Sequence, residues 1–153
     1  MTTPLAVLAP VPGRVIELAG VPDPVFSAAM VGPGAAIDPP RDGAIVAVAP
    51  VSGTLVKLHP HAYVLKTADG SGVLTHLGID TVQLAGAGFT LHAAEGDEVA
   101  AGAPIATWHP GEVDAGGRSP IVPVIALDTA VEALGEFAAG VVAAGDRLFG
   151  WVR

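Results

Sequence analysis

Apolar residues along this chain come in runs of four to seven, rich in Val, Ile and Leu and broken by Gly, Pro and Asp. Short runs bounded by turn residues predict strands rather than helices. Strands are expected over 14–18, 44–49, 54–58, 62–67, 72–77, 105–108, 121–127 and 147–152. Helical periodicity is brief and confined to 24–30, 111–115 and 129–137. Many short strands at even spacing predict an all-β fold, a mainly antiparallel β sandwich or barrel with short helical turns. A length of 153 residues suits one core, so 1–153 is read as a single domain.

Two segments read as copies: Ala9-Pro-Val-Pro-Gly-Arg-Val-Ile-Glu-Leu18 and Ala49-Pro-Val-Ser-Gly-Thr-Leu-Val-Lys-Leu58. Each is expected to be a turn feeding a strand. A second turn type, Glu95-Gly-Asp-Glu-Val-Ala-Ala-Gly102, has a weaker echo at Ala144-Gly-Asp-Arg-Leu-Phe-Gly150. There a residue free to take positive φ stands beside an Asp that can bond the local backbone.

Composition narrows the possible chemistry. The apolar runs stop far short of the roughly 20 residues that cross a bilayer, and 1–13 has no positive n-region and is interrupted by Pro4, Pro10 and Pro12. A soluble, cytoplasmic protein is therefore expected, without membrane insertion. The absence of cysteine removes disulfides and thiolate sites. A net charge of −8, with no Lys/Arg cluster, argues against nucleic acid and suits a basic protein partner. No Gly-x-x-x-x-Gly-Lys run is present to cradle a nucleotide phosphate.

The chemistry then falls to the histidines: His59, His61, His76, His92 and His109. His76 ends the apolar strand 72–77, and Gly78 follows two residues on, where a missing side chain permits close approach to the backbone. His61 opens the preceding strand, and the turn Asp69-Gly-Ser-Gly72 joins the two. Hairpin pairing sets His76 opposite a residue nearer that turn than His61, so contact between the two imidazoles is expected to need tertiary folding. An isolated His in an apolar strand is more often a satisfied, partly buried residue than a catalyst. For phosphoryl chemistry, one neutral imidazole nitrogen must attack phosphorus while the other keeps its proton against a fixed acceptor. A second histidine could then donate to the phosphoryl oxygens. His59, His92 and His109 have no comparable setting and are assigned no role.

The run Gly70-Ser-Gly-Val-Leu-Thr-His-Leu-Gly-Ile-Asp-Thr-Val82 resembles the phosphorylation-site signature of the glucose-type IIA components of the phosphoenolpyruvate-dependent sugar phosphotransferase system. Thr75 stands where an apolar residue is usual, on the strand face opposite His76. The likeness extends from Ala9-Pro-Val-Pro-Gly13 through Val21 to Gly34 and the 95–102 turn to Ser119-Pro-Ile-Val-Pro-Val124. It implies that the histidine-containing phosphocarrier protein phosphorylates His76, which passes the group to a cysteine on the IIB domain of a membrane sugar permease. It further implies that His61 supports transfer, and that Asp23 and Asp80 form an acidic rim. Val25, Phe26, Met30, Val31, Leu74 and Val82 would form an apolar collar, and no cofactor or metal is called for.

Two departures from the family accompany the likeness. The loop before His61 is short, with His59-Pro60 in place of a longer stretch, so a hydroxyl that often bonds the supporting histidine has no clear counterpart. An amphipathic arm that touches membranes in some relatives is not expected here. Two other classes compete. His59, His61 and His76 could ligate zinc in a metal-dependent enzyme, although Pro60 constrains His59 and no outer acceptors can be named. A lipoyl or biotinyl carrier would need a lysine at an exposed hairpin tip, and Lys57 and Lys66 lie inside predicted strands.

Overall fold

The computed structural model describes residues 3–153. Its strands are β1 (Leu5–Leu8), β2 (Gly13–Glu17), β3 (Gly34–Asp38), β4 (Ile45–Val48), β5 (Gly53–His59), β6 (Ala62–Lys66), β7 (Gly72–His76), β8 (Thr90–Leu91), β9 (Glu98–Val99), β10 (Pro104–Trp108), β11 (Val122–Ala126), β12 (Leu134–Gly135), β13 (Val141–Val142) and β14 (Arg147–Trp151). Two short helices, α1 (Pro24–Ser27) and α2 (Pro110–Ala115), complete the set with three 3-10 turns. An eight-stranded sheet runs β13-β2-β3-β11-β7-β6-β5-β9, and two three-stranded sheets run β1-β14-β12 and β4-β10-β8. The strand pairs are antiparallel, in the β sandwich fold expected from the sequence.

One face of the large sheet closes the main core. Ile37 of β3, Val122 and Val124 of β11, Val73 of β7 and Leu55 and Leu65 of the β5–β6 hairpin are fully buried there, with Trp108, Leu148 and Phe149 from the smaller sheets. Side chains alternate along a strand, so the residues between these point outward. Ile16, Ala36, Ile125 and Leu74 form a second apolar cluster on that outer face, roofed by Leu18, Val21, Phe26 and Val31. His76 shares the outer face with Leu74, while Thr75 between them is buried on the core side as its position predicts.

The copied turns are interlocked. Leu8 N–H donates to Pro50 O at 2.9 Å and Val48 N–H to Pro10 O at 2.8 Å, an exchange that relates the two Ala-Pro-Val turns by a local two-fold. The Gly-Asp turns behave as expected, with Ala94 N–H on Asp97 at 2.9 Å and Ala143 N–H on Asp146 at 2.8 Å. The helix expected over 129–137 is not formed. A 3-10 turn at Val131–Ala133 leads instead into β12, whose Leu134 and Gly135 pair with Trp151 and Gly150 of β14. Pairing with the sheet edge outweighs the weak period there. No helix of the described residues is long and apolar enough to cross a membrane.

Candidate active site

The β6–β7 hairpin sets Ala62 opposite His76, and Leu77 N–H donates to His61 O at 2.7 Å, so His61 sits one residue diagonal to His76. The ring centroids are 5.2 Å apart and meet edge to face at 69°. The register sets His76 opposite Ala62, one residue nearer the turn than His61 as expected, and the imidazoles meet diagonally across the hairpin. His61 lies in the two-residue link between β5 and β6, just outside the strand, so its ring is released from strict alternation.

The tautomer of His76 is set by its neighbour. Its Nδ1–H donates to the carbonyl oxygen of Gly78 at 2.5 Å, since a carbonyl can only accept, and Nε2 therefore keeps its lone pair. A buried clamp holds that carbonyl. Thr81, fully buried, donates its hydroxyl to Leu77 O at 2.8 Å, and Ile79 N–H donates to Ser119 O at 2.8 Å. Gly78 takes φ +83°, and a Cβ there would meet Thr81 Cγ2 at 2.7 Å and Ser119 O at 3.1 Å. What approaches Gly78 is its own turn. Thr81 and Gly78 lie inside the motif quoted above, but the buried bond from Thr81 to Leu77 O leaves no mark in the sequence.

Burial pushes the His76 pKa down, and the Gly78 carbonyl and the charges of Asp23 and Asp80 only partly offset it. His61 is also held low, first by burial and then by the like charges of His76 and His59. Both rings therefore stay neutral to a lower pH than an ordinary imidazole, and neutral Nε2 of His76 is a competent nucleophile.

Of the remaining predicted residues, Phe26, Asp23 and Asp80 act directly on His76. Phe26 packs on it with ring centroids 5.3 Å apart. Asp23 caps α1, accepting from Val25 N–H at 2.8 Å and Phe26 N–H at 3.4 Å, so the same carboxylate orients Phe26 and charges the rim. Asp80 is exposed in a left-handed turn at φ 60°. Val25, Met30 and Val82 are exposed apolar side chains, Met30 at 74%, while Val31 and Leu74 are partly buried against the outer cluster. His92 is exposed and shares a hydrogen bond with the Thr107 hydroxyl at 2.6 Å, and His109 precedes α2.

His59 does enter the cluster. It stacks on His61 with centroids 5.7 Å apart and planes inclined at 22°. The rings face one another instead of converging their nitrogens on a point, and among the described residues no three His, Cys, Asp or Glu form a group able to hold a metal ion. Zinc ligation by His59, His61 and His76 finds no support in this arrangement.

The family model of the phosphoenolpyruvate-dependent sugar phosphotransferase system, EIIA 1, matches residues 5–131. A glucose-specific EIIA component from Halalkalibacterium halodurans is 40% identical over 121 residues, 78% of this chain and 68% of that protein. A mannose-specific EIIBCA component from Corynebacterium glutamicum is 38% identical over 124 residues, 81% of this chain but 18% of the longer protein. The solved glucose permease IIA from Mycoplasma capricolum superposes with a TM-score of 0.89 at 36% identity, covering 97% of this chain and 96% of that one. The chain belongs to the EIIA 1 family of the phosphoenolpyruvate-dependent sugar phosphotransferase system.

Proposed function

We propose that this chain is a cytoplasmic phosphoryl carrier of the sugar phosphotransferase system, with His76 as acceptor and donor and His61 as its assistant. The reading is carried by one observation: His76 Nδ1–H is committed to Gly78 O, which leaves Nε2 free beside a second imidazole 5.2 Å away. As a phosphotransferase component it accepts and passes on a phosphoryl group without a nucleotide or cofactor of its own.

In the first half-reaction Nε2 of His76 bonds to phosphorus as the N–P bond of the donor phosphohistidine breaks and its electron pair returns to the donor ring. The Gly78 carbonyl steadies the cationic ring, and in the return step His61 donates a hydrogen bond to a phosphoryl oxygen as charge shifts toward the acceptor. In the second half-reaction a cysteine thiolate bonds to phosphorus, the N–P bond breaks, and Nε2 recovers its pair. The apolar collar of Val25, Phe26, Met30, Val31, Leu74 and Val82 docks the partner and keeps water from the N–P bond. Asp23 and Asp80 steer a basic partner to it. The donor is the histidine-containing phosphocarrier and the acceptor a IIB domain, as the presence of similar sequence within EIIBCA and EIICBA proteins favours.

Intact mass tests this after incubation with phosphoenolpyruvate, enzyme I and the histidine phosphocarrier. One acid-labile phosphoryl adduct is expected, absent in His76→Ala. His61→Gln should still accept the group but deliver it to a IIB domain at least about a hundredfold more slowly. An adduct retained in His76→Ala, or equal loss of acceptance in both variants, overturns the assignment.

A further inference from the structure

His61 is the member of the site that no hydrogen bond from its ring is seen to hold among the described residues, although its task demands a fixed direction. Two imidazoles flank it instead: His76 edge-on at 5.2 Å and His59 face-on at 5.7 Å.

The backbone explains how His59 comes to lie there. In the β5–β6 hairpin the pairing runs Leu55 with Leu65 and then Lys57 with Val64, so Val56 is an extra residue, a bulge. A one-residue shift exchanges the faces of every later side chain. Without it, Leu58 would stand opposite Ala62 and His59 would point to the other face. With it, His59 pairs with Ala62, and Ala62 pairs with His76. The three residues form one row across three strands, on the outer face. Ala62 contributes only a methyl group at the centre of that row, and this leaves a slot in which the His61 ring lies between the two flanking rings.

We propose that His59 is a positioning residue for phosphoryl transfer: its ring walls the slot on one side and fixes the plane of His61 so that the edge of His61 stays directed at His76. This rests on the carrier reading given above. His59 is exposed and touches no transferred atom, so it acts through His61. Other charged groups near the row are few. Asp23 and Asp80 act on His76, and Glu95 accepts the Leu58 N–H at 3.0 Å beside His59. A charge on His59 opposes a charge on His61, so the His61 midpoint should rise in His59→Phe as well, where a ring still packs in the slot and only the like charge is gone.

Three proteins test the proposal: wild type, His59→Ala and His59→Phe, each phosphorylated on His76 and mixed with a IIB domain, with the His61 ring followed by NMR across pH. His59→Ala should accept phosphoryl at the wild-type rate, donate it about tenfold more slowly through loss of orientation, and raise the His61 titration midpoint by removing a like charge. His59→Phe keeps a flat ring in the slot and should restore most of the donation rate. Donation by His59→Ala at the wild-type rate overturns the proposal, as does an unmoved His61 midpoint or failure of His59→Phe to rescue. A wild-type chain that takes up no phosphoryl group would remove the carrier reading itself, whereas normal transfer by wild type and His59→Ala alike removes only the role of His59.

Discussion

The two faces of the eight-stranded sheet are made by the same strands and share the same register, yet they do opposite things. On the core face Val73, Thr75, Val122 and Val124 are fully buried beneath the smaller sheets. On the outer face their sequence neighbours Leu74 and Ile125 pack in a smaller cluster with Leu18, Val21, Phe26, Val31 and Ile79, which leaves Leu74 and His76 partly exposed. Alternation therefore lets β7 anchor a core and present the His76 imidazole on the other face within five residues. The rigidity that a reactive group requires is supplied from the other side of the sheet. At the edge of the outer face Met30 and Val82 stay exposed, at 74% and 60%.

A pair of truncations separates the faces most strongly. Leu65→Ala in β6, fully buried in the core, should cost about 2–5 kcal/mol in denaturant unfolding by loss of burial and creation of a cavity. The folded fraction should still accept phosphoryl on His76. Met30→Ala, at 74% exposure, should change stability by less than about 0.5 kcal/mol, while slowing exchange with the phosphocarrier. Comparable destabilisation by both would mean that the outer cluster is ordinary core.

The sequence disclosed the two faces unequally. The eight strands expected from short apolar runs between turn residues all form, as β2, β4–β7, β10, β11 and β14. The third strand, Gly34–Asp38, was not expected, since Gly34, Ala35 and Ala36 lack the bulk that marks a strand. Their smallness is nevertheless functional: a side chain at 34 would run into the backbone of Val124, and the alanines pack between β2 and β11. The roles expected of His76, His61, Asp23 and Asp80 rest on a family likeness that spans several elements, not on the pattern of any one strand. The bulge at Val56 was not legible, because an extra residue leaves no mark until the partner strand is known. The place of His59 in the row with Ala62 and His76 follows from that bulge and has no counterpart in the sequence pattern.

Acidification should weaken the outer face ahead of the core. His76 and His61 titrate below the ordinary imidazole value of about 6.5, mainly through burial. In the window between the folded and unfolded values the unfolded chain binds more protons, so stability is fully present above about pH 6.5 and is lost as pH falls toward the folded values. The melting temperature should drop between pH 8 and pH 5.5, and His76→Gln should drop less because one depressed imidazole has been removed. Both proteins share the same carboxylates, so the difference between their pH curves isolates His76. Parallel curves would show that His76 does not carry the pH dependence of this face.

The smallest expected effect concerns the rim, where charge acts at a distance rather than by contact. Asp80→Asn and Asp23→Asn each remove one negative charge with little change in shape. Asn tolerates the left-handed turn at Asp80, and it can still cap α1 at Asp23. If the carboxylates steer a basic phosphocarrier, each variant should slow phosphorylation by about two- to fivefold at low salt, with rates converging on wild type as the Debye length shrinks to about 3 Å near 1 M salt. His61→Gln should show no such convergence, because its loss lies in the transfer step and not in encounter. A rim variant that stays slow at high salt would place its carboxylate in direct contact with the partner, and the outer face would then be polar at its edge by bonding as well as by field.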